Sequence, residues 1–121
     1  MSQHFFTAKH DDRDVDVLIG WDRALQSFFL VVTLIDPVDY EDETIYSSVT
    51  DEEIGVFETK PLDYFKDKLT SLGLELPTLI SEQVITDACR NVGNRVCCYE
   101  SVNGEWSMTD HSSVVEESQL R

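Results

Sequence analysis

The chain predicts an α+β fold: an antiparallel sheet, built from an N-terminal three-strand meander and a C-terminal hairpin, with two helices packed on one face. Three observations carry this. Residues 4–35 hold three strand-like runs separated by short polar turns. Residues 61–91 hold two apolar stripes at helical spacing. Near the end, Asn103-Gly104 stands between two further strand-like runs, which is the sequence of a two-residue hairpin turn.

The first run, "HFFTAKH", is aromatic-rich and stops at "DDRD". The second, "VDVLIGW", alternates at first, so Val15, Val17 and Ile19 share one face. The third, "SFFLVVTLI", is apolar on both faces. That pattern suits a strand covered on both sides or one lying in a self-association surface. The connections "DDRD" and "DRALQ" are short, so the three strands are expected to be antiparallel neighbours. Trp21, in "GWDRALQSFFLVV", reads as core beside a turn rather than as an exposed aromatic patch. Two short further strands are candidates, "TIYSSV" at 44–49 and "EIGVFET" at 53–59.

A first helix is expected from about Pro61 to Leu72, with Thr59 as N-cap. Leu62, Phe65, Leu69 and Leu72 form its stripe. Gly73 is its left-handed terminator, with Leu74 folding back on the last turn. A second helix is expected from about Pro77 to Asn91, with Ile80, Val84 and Ala88 facing the core and Gly93 as the stop. The chain thus reads as one domain over 1–111. Residues 112–121, "SSVVEESQLR", read as a flexible acidic tail.

Composition narrows the function classes. The 121 residues are 41% apolar, with six Phe, four Tyr and two Trp, which suits a folded chain. The net charge is −15, well beyond the roughly 2–8 charges that solubility asks of a small domain. Such a field repels nucleic acid and anionic membranes and attracts basic surfaces. The expected partner is therefore a basic nucleic-acid-binding protein or effector complex, with no direct contact to nucleic acid or membrane. Cys89, Cys97 and Cys98 are odd in number and two are adjacent, which points to a reducing, cytoplasmic compartment. No signal peptide is expected from "MSQHFFTAKH", and the apolar run Phe28–Ile35 is too short to span a bilayer.

Catalytic and metal chemistry are not expected. His4, His10 and His111 lack a metal-ligand spacing, and His4 and His10 read as solvent-exposed strand ends. Cys97 and Cys98 should point to opposite faces of a strand, with no activating base in view. None of the phosphate-cradling or nucleophile-elbow glycine motifs occurs. "DPVDYEDETIYS" fails as a calcium loop, because it lacks the Gly at position 6 and the Glu at position 12. No cofactor is implied.

What remains is "DPVDYEDETIYSSVTDEE", which holds Asp36, Asp39, Glu41, Asp42, Glu43, Asp51, Glu52 and Glu53 and no Lys or Arg. An array of carboxylates can occupy the groove that a basic protein keeps for phosphates. Tyr40 and Tyr46 would be its anchors. Asp11, Asp12, Asp14 and Asp16 from the first turn would extend it. The competing reading is a solvated loop whose charges keep the chain soluble. A second alternative is a self-associating accessory protein, a homodimer through Phe28–Ile35.

Two stretches, 20–32 and 69–96, carry the motifs Gly20-Trp21-Asp22-Arg23, Leu72-Gly73 with Leu76-Pro77, and Asn91-Val92-Gly93-Asn94. In these the chain resembles small proteins carried on plasmids and integrative elements of proteobacteria. The resemblance implies a mobile-element context, where acidic proteins of this size include anti-CRISPR and anti-restriction inhibitors, several of them DNA mimics. It implies no catalytic residue.

Overall fold

The structure is a computed structural model that describes residues 1–35, 44–55 and 58–111. In chain order the elements are β1 (Ser2–His10), β2 (Arg13–Asp22), β3 (Ser27–Leu34), β4 (Thr44–Ser47), α1 (Leu62–Ser71), α2 (Thr78–Cys89), β5 (Arg95–Val102) and β6 (Glu105–Asp110). The fold is α+β as expected. The sheet, however, is mixed rather than purely antiparallel, with six strands in the order β4-β3-β2-β1-β5-β6.

The difference arises at β1. The meander β1-β2-β3 forms as its short turns require, but it leaves β1 on an edge, and β4 takes the other edge beside β3. The chain then crosses over through both helices and returns along β1 in the same direction. Ser2 to Phe5 pair in parallel with Arg95 to Cys98. Meander and hairpin are thus one continuous sheet. The 44–49 candidate contributes β4, whereas the described residues of the 53–59 candidate form no strand.

Local sequence sets the turns. Asp11 and Asp12 join β1 to β2 with φ of 51° and 63°, and Asn103 and Gly104 join β5 to β6 with φ of 54° and 83°. Both pairs suit a tight two-residue connection between twisted strands. Gly73 ends α1 at φ 75°, and the Leu74 N–H donates to the Leu69 carbonyl at 2.8 Å, closing the expected cap.

Two cap assignments are corrected. Pro61, not Thr59, occupies the N-cap of α1, and no side chain caps it. At the end of α2 the left-handed residue is Asn91, φ 51°, not Gly93. The Val92 N–H donates to the Asp87 carbonyl at 2.9 Å, so the helix closes two residues earlier than the glycine suggests.

Both helices cover one face of the sheet. Leu62, Phe65 and Leu69 of α1 and Ile80 and Val84 of α2 pack on Phe6, Val15, Val17, Ile19, Leu30, Val32, Cys97 and Tyr99. Each fully buried aliphatic or aromatic side chain here contributes about 1.5–3 kcal/mol. Trp21 is buried as expected, edge-on to Phe28. Cys97 is buried and Cys98, on the other face, is half-buried. No described helix is long and apolar enough to cross a membrane.

Candidate interaction surface

The acidic stretch divides in two. Asp36, Asp39, Tyr40, Glu41, Asp42 and Glu43 lie outside the described residues. Their neighbours do not. The Ile35 N–H donates to the Asp14 carbonyl at 3.1 Å, and Thr44 stands opposite Thr33, which in turn stands opposite Asp16. Ile35 and Thr44, the described residues that border 36–43, thus both lie at the sheet end that carries the Asp11-Asp12 turn, Asp14 and Asp16.

The remaining part of the stretch packs against α1. Tyr46 and Tyr64 both donate their hydroxyls to Oδ2 of Asp51, at 2.6 and 2.8 Å. Tyr64 also reaches Oε2 of Glu53 at 3.1 Å, and the Lys68 ammonium donates to the same oxygen at 3.2 Å. Lys68 lies over the Tyr64 ring, 5.2 Å from its centroid. The Asp51 side chain is only 6% exposed. The Tyr46 hydroxyl holds its carboxyl below the ordinary range; burial opposes this, and Tyr64 and Lys68 assist. Burial and the Asp51 carboxylate in turn push the Tyr46 phenol up.

This cluster fastens the 44–55 segment to α1. The stretch contains no cation of its own, but α1 supplies one. Asp51 and Tyr46 have their polar atoms engaged inside the chain, while Glu52 and Glu53 are exposed.

A second polar cluster escaped the sequence reading. His4 is not an exposed strand end; it is fully buried. Its Nε2 lies 2.6 Å from Oδ2 of Asp87, and its Nδ1 lies 2.7 Å from the Tyr99 hydroxyl. Arg95 donates to Oδ1 of Asp87 at 2.7 Å and to Oε1 of Gln83 at 2.9 Å. Burial alone would push the Asp87 carboxyl up, but the His4 and Arg95 bonds outweigh it and hold the carboxyl low. Burial also pushes the Cys97 thiol up, to about 11, which keeps it in the unreactive thiol form. One signal was available: His4 shares its parity with Phe6, and both face inward with Val15, Val17 and Ile19.

Two of the three motifs behind the resemblance meet in space. The Trp21 indole N–H donates to Oδ1 of Asn91 at 3.2 Å, and Gln26 donates to the same oxygen at 2.8 Å. A Cβ on Gly93 would stand 2.7 Å from Cζ of Arg23, so the guanidinium lies directly over that glycine. Gly20-Trp21-Asp22-Arg23 and Asn91-Val92-Gly93-Asn94 thus form one structural joint between the β2–β3 turn and the end of α2.

Among the described residues, no group of three or more His, Cys, Asp or Glu side chains is arranged to hold a metal ion. No protein-family model, curated protein or solved structure matches the chain.

Proposed function

We propose that this chain is a non-enzymatic, cytoplasmic inhibitor from a mobile genetic element. It binds a basic nucleic-acid-handling protein complex through its acidic sheet end. An anti-CRISPR role with DNA mimicry is the sharpest form of this reading. The observation that supports it is the position of Ile35 and Thr44, the described residues that border the acidic segment: both lie beside Asp14 and Asp16. The sequence between them carries five more carboxylates. A groove lined with Lys and Arg gains its affinity for nucleic acid mainly from phosphate charge. Clustered carboxylates supply the same charge without a nucleic acid.

The test is a pull-down from bacterial lysate at low and moderate salt. Wild type is run beside a variant with Glu41→Gln, Asp42→Asn, Glu43→Gln and Glu52→Gln. Asp51 is left intact because it fastens the segment to α1. The reading expects a nucleic-acid-binding complex with the wild type alone. The same proteins on both baits would contradict it.

Self-association is the second reading, supported by the outward Phe29 and Val31 of the strand Phe28–Ile35. Sedimentation at two concentrations separates the two, because a monomer at both rules out the homodimer.

A further inference from the structure

One face of the sheet carries both helices; no described helix or strand lies over the other. An outward face of this kind normally alternates to polar side chains. Here its centre is apolar. Val31, Leu18, Phe5 and Cys98 stand directly opposite one another across β3, β2, β1 and β5. All four are half-buried. Phe29 extends the row by lying over Gly20, where a Cβ would stand 2.9 Å from its ring. Leu18, Phe29 and Val31 continue into a cavity of about 350 Å³ beside the start of β3, which also takes in Leu25, Asp22 and the Glu58–Lys60 pair and reaches Phe65 of the core.

The rim of this row is acidic. Asp14, Asp16, Asp22, Glu100 and Glu105 point to the same face by strand parity. Among the described strands the only Lys or Arg on this face is Lys9, paired with Asp14 at 3.0 Å, and Lys60 at the adjoining cavity is paired with Glu58 at 2.7 Å. Asp16 is half-buried, and burial raises its carboxyl above the ordinary value. A partly desolvated carboxylate beside an apolar row is completed by an incoming cation.

We propose that this open sheet face is the docking surface for a basic partner. The row Val31–Leu18–Phe5–Cys98 would be its apolar centre, and Asp14, Asp16 and Glu100 would receive the partner's Lys and Arg. An apolar core with a charged rim is the usual anatomy of such a contact. A second copy of this chain fits poorly, because its own five carboxylates would meet these across the interface. The cavity beside the start of β3 is large enough for one anchoring side chain of the partner, with Asp22, Glu58 and Lys60 at its lining. The proposal rests on the basic-partner reading above and moves the contact from the acidic end onto the sheet.

Two peptides of equal length and charge test it, one alternating Lys with Leu and one alternating Lys with Ser. Titrations use the full chain at low salt, beside a Leu18→Thr, Val31→Thr double variant and an Asp16→Asn variant, each checked for folding by circular dichroism. The Lys-Leu peptide is expected to bind wild type at least about tenfold more tightly than the Lys-Ser peptide. The double variant should lose that preference, and Asp16→Asn should weaken both peptides. On wild type, the Lys-Leu peptide should protect Cys98 from maleimide and leave the exposed Cys89 reactive.

Equal binding of the two peptides, unchanged in the double variant, overturns the sheet face and leaves the charge-based reading standing. If neither peptide binds, both fall. A concentration-dependent dimer that disappears in the double variant assigns the face to a second copy. Cys98 as unreactive as buried Cys97 before any peptide is added shows that the chain covers the face itself.

Discussion

Nε2 of His4 lies 2.6 Å from Oδ2 of Asp87, and neither side chain meets solvent. The contact joins the first strand to the second helix across 83 positions of sequence. Arg95 closes the other side of the same carboxylate from β5. One buried charge thus ties together β1, α2 and the strand that pairs in parallel with β1.

Removing that charge should be costly. Asp87→Asn leaves Arg95 facing a neutral group and His4 without its anionic partner. A loss of about 3–5 kcal/mol is expected in urea unfolding. A loss below about 1 kcal/mol would show that the cluster is not a keystone.

The same group sets an acid dependence. Its folded-state pKa lies below the unfolded value, so its contribution is complete above the ordinary Asp range near 4 and disappears as pH falls through the folded value. The stability gap between wild type and Asp87→Asn should therefore shrink as pH is lowered below about 4. A gap that stays constant from neutral pH to pH 3 would contradict this assignment.

Asp51 and Glu52 are neighbours with opposite expectations. Asp51→Asn loses the anion shared by Tyr46, Tyr64 and Lys68, and should lower stability by about 1–3 kcal/mol. Glu52→Gln, at an exposed position, should stay within about 0.5 kcal/mol of wild type. Thermal melts of the two variants check this directly.

Two glycines separate crowding from backbone conformation. A Cβ at Gly20 would stand 1.9 Å from the Ser2 carbonyl oxygen, so Gly20→Ala must displace β1 from β2. A loss of roughly 3 kcal/mol or more is expected. Gly73 has nothing within 4 Å of its missing Cβ, and Gly73→Ala should cost about 1–2 kcal/mol through its φ of 75° alone.

What was legible in the sequence was local. The Asn103-Gly104 turn, the Leu62-Phe65-Leu69 stripe and the Gly73 cap each depend on residues a few positions apart, and each appears where expected. The parallel pairing of Ser2–Phe5 with Arg95–Cys98 was not legible, because nothing near either segment encodes its partner. His4 was misread for the same reason. A histidine looks exposed until Asp87 and Tyr99 arrive from distant elements to satisfy both ring nitrogens. Within the candidate surface, the carboxylates were visible, but Lys68 reaching Glu53 from α1 was not. The apolar outer face of β3 was visible as a pattern. That its row extends over β2, β1 and β5 needed the strand register.

The most direct measurement is displacement. A nucleic-acid-binding complex captured by the immobilised wild-type protein is washed with duplex DNA over a range of salt concentrations. The account predicts that DNA releases the complex competitively and that salt weakens capture steeply, because carboxylates and phosphates would occupy one basic groove. A complex that holds DNA and this protein together, with capture indifferent to salt, would contradict it.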